Sequence, residues 1–196
     1  MARTAYFWSA LIVLFLTAGL VIQLQVMGAS QSFAMLSPAV AGFLVIKACA
    51  MLRPRESVWG RFTLAQFSTF MLGLVALQTA FQVVRASLGS DDGGDFAVRE
   101  LIKASALGVL IAAPLFEEAV FRGLLWRATE FGSEPVRVAV PVVVTAIFFA
   151  TMHGLASPGQ ATLMFAVGII LGIARAGSGG IALHVGMNVF VAAGVF

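Results

Sequence analysis

Seven runs of apolar residues follow one another along this 196-residue chain, and several are about as long as a membrane helix. A helix that crosses the hydrocarbon core needs about 20 mostly apolar residues. Read that way, the runs are Phe7 to Met27, Phe33 to Leu52, Phe62 to Val84, Leu101 to Trp126, Val138 to His153, Ala161 to Ala174 and Ile181 to Phe196. A chain with that pattern has few folds open to it. Backbone polar groups in lipid must pair within their own segment, so helices are the solution. Composition agrees: 60% of the residues are hydrophobic and only 11% are charged, against about 25% charged in a soluble domain. A soluble globule and a disordered chain are both excluded. The expectation is an all-α polytopic membrane protein of about seven transmembrane helices. It is read as a single membrane domain, 1–196, with three N-terminal helices over 1–84 and a second unit over 101–196.

The first run follows Arg3 and has the flavour of a signal peptide. It is long for one, and more spans follow, so it reads as a retained helix. Loop charges set the orientation. With the N-terminus in the cytoplasm, the inner segments carry Arg3, Arg53, Arg55, Arg61, Arg127, Arg137 and Arg175, and the outer ones Arg85, Arg99 and Lys103. Seven basic residues inside against three outside follow the positive-inside rule. The net charge of +3 is spread along the chain and forms no basic patch, so nucleic acid is not an expected partner. The partner implied by the composition is the lipid bilayer. The hydrophilic break SLGSDDGGD (Ser87 to Asp95) reads as an external turn, and AGSGG (Ala176 to Gly180) as a turn with Ser178 a cap. The lone Cys49 has no partner for an internal disulfide and reads as a packing residue. Lys47 reads as a side chain that snorkels to the cytoplasmic edge. Gly168 and Gly172 read as a close-packing GxxxG pair.

The informative residues are charges that lipid should exclude. An ionisable side chain inside a span costs about 2.5–3.5 kcal/mol on insertion scales. The fourth run carries three in the string PLFEEAVFRG: Glu117, Glu118 and Arg122. Glu118 and Arg122 are four residues apart, so they share a helix face and can pair. Glu117 lies about 100° around the helix and must face something else. Pro114 removes a backbone hydrogen bond just before them and favours a kink. The bland alternative is an ion-pair cluster that only locks helices, for which a single Glu would suffice. The chain's two histidines lie in later runs. His153 ends the fifth, on one face with Phe149. His184 opens the seventh, on one face with Asn188. A carboxylate with a neutral imidazole is a water-activating combination near neutral pH. Two His and a Glu can also hold zinc, but here the ligands Glu117, His153 and His184 would come from three helices.

The strings EEAVFR (Glu117 to Arg122), FATMH (Phe149 to His153) and HVGMN (His184 to Asn188) resemble, in order, the EExxxR, FxxxH and HxxxN motifs of the CPBP family. These are the CAAX-protease and bacteriocin-processing membrane proteins, also called Abi, and they include the eukaryotic prenyl-protein endopeptidase. The similarity covers Leu101 to Phe196, which makes 101–196 the expected catalytic core. It implies a glutamate-type intramembrane endopeptidase with its site residues on helices 4, 5 and 7. By that resemblance Glu117 is the general base, with His153 its partner. His184 and Asn188 would bind the tetrahedral oxyanion. Glu118, Arg122 and Phe149 would support them. The substrate implied is a membrane-anchored protein or peptide. No cofactor is expected; zinc on Glu117, His153 and His184 is the alternative. Short loops point to a prokaryotic cytoplasmic membrane. The competing functions are a non-catalytic immunity or scaffold protein of the same fold and a small proton-coupled transporter. One tension stands in this reading. At about 1.5 Å per residue from the inner boundary, Glu117 lies about 15 Å deep, His184 about 10 Å and His153 about 24 Å. The fifth helix would have to start later than drawn, tilt, or bend near Pro141 to bring them together.

Overall fold

Each apolar run becomes a helix in the computed structural model, which describes residues 2–52, 63–87, 106–153, 158–177 and 180–192. Among the described residues the fold is all helical, with no strand. In chain order, α1 is Ala2–Val26, α2 the short Gln31–Ala34, α3 Leu36–Leu52 and α4 Leu64–Ser87. The fifth helix, α5, runs continuously over 108–129. It alternates π-helical turns (Gly108–Ala112 and Glu118–Leu125) with α-helical ones (Ala113–Glu117 and Trp126–Thr129). Then come α6 (Val136–Met152), α7 (Pro158–Gly177) and α8 (Ile181–Ala192). Three of these, within α1, α4 and α7, are long and apolar enough to cross a membrane by length and composition. Those in α3, α6 and α8 are shorter apolar helices.

Several boundaries moved. The run drawn from Phe33 is two helices, broken at Met35. The sixth run was drawn short, as Ala161 to Ala174, but α7 has 20 residues. The helix holding the fifth run begins at Val136, two residues earlier than drawn. A later start is therefore not what brings His153 to the depth of Glu117. Leu101 to Ser105, most of the SLGSDDGGD segment and the proposed cap Ser178 lie outside the described residues.

Lipid, not water, decides which side chains face out. Met51, Leu64 and Val26 are 83%, 81% and 81% exposed. Such surfaces are costly in water and natural in hydrocarbon. The helices end where local chemistry stops them. At the end of α1, Gly28 adopts φ +82°. There the Ala29 N–H bonds back to Leu24 O and the Gly28 N–H to Gln25 O. This is the Schellman cap, which needs a left-handed residue and so favours glycine.

Helix α5 is the axis of the molecule. All eight residues of Glu118–Leu125 are buried, and α1, α3, α6 and α8 pack around α5. Val120, Phe121, Leu124 and Leu125 join Leu14 of α1, Val45, Ile46 and Cys49 of α3, and Phe149 of α6 in one core. Cys49 is buried there against Gly123, which is the packing role read from sequence. Lys47 is exposed, its ammonium 5.7 Å from the Phe43 ring centroid.

Helix approach is set by missing side chains. A Cβ on Gly42 of α3 would stand 2.8 Å from Phe116 Cα. A Cβ on Gly168 of α7 would stand 2.8 Å from Ala146 Cα, and one on Gly172 3.2 Å from Val142. The GxxxG pair thus does what its spacing suggested: it lets α6 and α7 touch backbone to backbone.

Candidate active site

The fully buried layer of the site comes first. Glu118 and Arg122 are both 0% exposed, and Arg122 Nη1 stands 3.4 Å from Glu118 Oε1. The pairing read from their spacing is present. Arg122 is held further by Nη2 donating to Gly168 O at 3.3 Å. Its guanidinium lies 5.1 Å from the Phe149 ring and 5.9 Å from the Phe121 ring. A charge without water is being surrounded by a carboxylate, a carbonyl and two π-faces, each of which lowers its cost. The Gly168 carbonyl is reachable because Gly168 has no side chain to keep α7 away.

His184 builds on this layer. It is 1% exposed, and its Nδ1 lies 3.0 Å from Glu118 Oε1. Glu118 is the anion of an ion pair, so Nδ1 is the donor and carries the hydrogen. That fixes the ring and turns Nε2 toward Glu117, whose Oε2 is 3.5 Å away. The other oxygen of Glu118, Oε2, sits where a side chain at Gly180 would start: a Cβ there would be 2.8 Å from it. Gly180 stands immediately before the first residue of α8, so the carboxylate faces the positive end of that helix dipole.

His153 arrives from the other side. It is the C-cap of α6, and its Nδ1 lies 2.8 Å from Phe149 O. A carbonyl only accepts, so this nitrogen also carries the hydrogen. Its Nε2 is 3.8 Å from Glu117 Oε2. The Phe149 ring meets both imidazoles, tilted at 4.2 Å from His153 and edge-on at 5.6 Å from His184. Phe149 thus makes ring contacts with both histidines.

Glu117, His153 and His184 therefore converge, and they do so with a definite polarity. In their neutral forms both imidazoles turn a lone pair toward one carboxylate oxygen. Glu117 Oε2 is buried and has no hydrogen-bond partner. Exposure rises across the cluster, from 0% at Glu118 and 1% at His184 to 18% at Glu117 and 32% at His153. The open side is thus at Glu117 and His153. Among the described residues no group of three or more His, Cys, Asp or Glu side chains is disposed to hold a metal ion.

Asn188 sits one turn after His184, but its amide is already engaged. Nδ2 donates to Val109 O of α5 at 2.8 Å. One of its two amide hydrogens is used there. Reading the sequence identified the side chains of this site and missed its backbone parts: the carbonyls of Gly168 and Val109, and the empty Cβ positions at Gly42 and Gly180. Val109 apart, the only sequence signals for these were glycines, a residue type of which the chain has 20.

Residues 100–190 match the family model described as type II CAAX prenyl endopeptidase, Rce1-like. No curated protein and no solved structure matches the chain. The matched segment contains all three motifs, from Glu117 to Asn188, and it is the segment whose motifs resemble the CPBP proteins. Over residues 100–190, a little under half of its length, the chain is thus similar to the Rce1-like type II CAAX prenyl endopeptidases.

Proposed function

We propose that the chain is an intramembrane endopeptidase that hydrolyses a peptide bond in a membrane-associated or lipid-anchored protein or peptide, with Glu117 as the general base. One observation carries this reading. Two acceptors, Glu117 Oε2 and His153 Nε2, face one another at 3.8 Å, and His184 Nε2 stands 3.5 Å from the same carboxylate oxygen. Acceptors repel unless a donor stands among them, and a water supplies two hydrogens. The arrangement thus selects the nucleophile of a hydrolysis.

In the proposed reaction Glu117 takes one proton from that water, with His153 holding the water by its other hydrogen. The hydroxide oxygen attacks the scissile carbonyl carbon, and the carbonyl oxygen becomes an oxyanion. His184 and Asn188 are the donors proposed for it. His184 can donate from Nε2 only as the imidazolium, and Glu118 at 3.0 Å is placed to balance that charge. The proton on Glu117 passes to the leaving nitrogen as the C–N bond breaks, which restores the carboxylate. Arg122 keeps Glu118 ionised and in place. The exposure gradient brings substrate in over His153 and Glu117. The family name suggests a prenylated CAAX-type protein as substrate class, and a prokaryotic cytoplasmic membrane is the setting proposed for the chain.

The test is a comparison of membranes containing the native chain and Glu117→Gln at equal expression, with peptide fragments identified by mass spectrometry. Fragments present only with the native chain support the proposal. The same fragments with Glu117→Gln refute Glu117 as the base. Proton flux through reconstituted liposomes, lost in Glu117→Gln and unaccompanied by cleavage, would instead make the cluster a relay of the transporter kind.

A further inference from the structure

Every carbonyl in a membrane helix needs a donor. In the first π-helical stretch of α5 the pattern is clear at Gly108, whose carbonyl accepts from the Ala113 N–H five residues on. The same step assigns Val109 O to residue 114. That residue is Pro114, which has no N–H. The Ala113 N–H, the donor Val109 would use in an α-helix, is spent on Gly108. Val109 O is therefore left without a donor from these positions of its own helix. It is this carbonyl, 79 residues away in sequence, that Asn188 Nδ2 reaches at 2.8 Å.

We propose that Pro114 is a positioning residue: its missing N–H creates the carbonyl that holds Asn188, and through Asn188 it sets α8, and with it the His184 ring, against Glu117. The geometry makes the link short. Pro114 lies three residues before Glu117 on α5, and Asn188 lies one turn after His184 on α8. The bond between Val109 and Asn188 ties the same two helices that the Glu117–His184 approach joins. It also orients the Asn188 amide, with one hydrogen on Val109 O and the second left to point elsewhere. Pro114 is more than a kink in this account; with Asn188 it forms a matched pair, a deleted donor on one helix and a supplied donor on the other.

The pairing predicts that the two residues depend on each other. The experiment is a double-mutant cycle with Pro114→Ala, Asn188→Ala and the double variant, using the full chain in detergent. One reading is thermal stability. The second is kcat and KM toward a fluorescence-quenched farnesylated peptide ending in a CaaX sequence, and this arm alone rests on the proposed peptidase activity. In the native Pro114 background Asn188→Ala leaves Val109 O without a donor and lowers Tm by about 2–8 °C. In the Pro114→Ala background the new N–H supplies Val109 O, and the same change lowers Tm by less than about 2 °C. For activity, each single variant lowers kcat about tenfold to a hundredfold, the scale of a displacement of about 1 Å at a reacting group. KM stays within about threefold, and the double variant is no worse than either single one. Equal Tm losses from Asn188→Ala in both backgrounds overturn the proposal. So does a kcat in Pro114→Ala equal to that of the native chain. If Asn188→Ala does not fold, Asn188→Leu keeps the branched shape and carries no donor, and the same dependence on residue 114 is expected of it. A native chain that leaves the farnesylated peptide uncut counts against the activity reading, while the Tm cycle still decides the Pro114–Asn188 link.

Discussion

Replacing Arg122 with methionine removes a guanidinium that Glu118 Oε1, Gly168 O and the rings of Phe149 and Phe121 surround with no exposure to solvent. Methionine fills much of the space but leaves the Glu118 carboxylate buried without its cation. Breaking a buried pair from one side costs about 3–5 kcal/mol, which for a chain of this size corresponds to a fall in Tm of roughly 6–20 °C. Glu118→Leu strands Arg122 in the same way and costs a similar about 3–5 kcal/mol. The double variant Glu118→Leu/Arg122→Met strands neither charge. What it leaves is the Nδ1 hydrogen of His184 without its acceptor, worth about 1–3 kcal/mol. Two single losses that sum to about 6–10 kcal/mol should thus collapse to a few kcal/mol in the double variant. Unfolding by SDS titration in mixed micelles measures all three. Activity should not follow stability, because the double variant regains its fold yet has lost the group that fixes the His184 tautomer. If the three losses are additive within about 0.5 kcal/mol, Glu118 and Arg122 are not a pair in the working protein and the support assigned to them fails.

Four further outcomes are expected. Gly168→Leu must push α7 away from Ala146 and should cost about 1–3 kcal/mol by overpacking, read as a lower Tm; an unchanged Tm would mean that α6 and α7 do not meet there. Gly180→Ala places a Cβ 2.8 Å from Glu118 Oε2, so kcat should fall about tenfold or more with little change in KM, and activity equal to native would show that the carboxylate lies elsewhere. Gly42→Ala sets a Cβ 2.8 Å from Phe116 Cα, one residue before Glu117, and should lower cleavage more than Gly73→Ala, where nothing lies within 4 Å. Incubation with a strong chelator should leave cleavage unchanged under the Glu117 mechanism; loss of activity restored by zinc would move Glu117, His153 and His184 from acid–base groups to ligands.

The side chains of the site could be read from sequence because lipid makes them conspicuous. Glu117, Glu118, Arg122, His153 and His184 are costly in apolar runs, and helical spacing alone paired Glu118 with Arg122. Spacing also left Glu117 free, and the structure places it against the two histidines. The helices themselves, the four-residue α2 apart, were legible for the same reason, since each lies in an apolar run. Their packing was not. In water an apolar stripe tells which face is buried, but a membrane helix is apolar all round, so α3 offers no stripe to show that Val45, Ile46 and Cys49 face inward while Phe43 and Leu44 face out. The π-helical turns of α5 were missed as well. Pro114 suggested a kink, and the helix instead widened its turns around it. This leaves Val109 O for a partner 79 residues away, and no local pattern announces such a bond.

The Arg122–Gly168 bond has a consequence for how α7 tolerates change. What α7 gives the buried charge is a main-chain oxygen, and every amino acid brings one. Its chemical contribution therefore survives any substitution in principle, whereas its reach does not. For holding the Arg122 guanidinium, a saturation library across α7 would show no position that demands a reactive group. It would show one, residue 168, where only the smallest side chain lets that oxygen arrive, and a site dependence on α7 would be recorded there as a limit on volume.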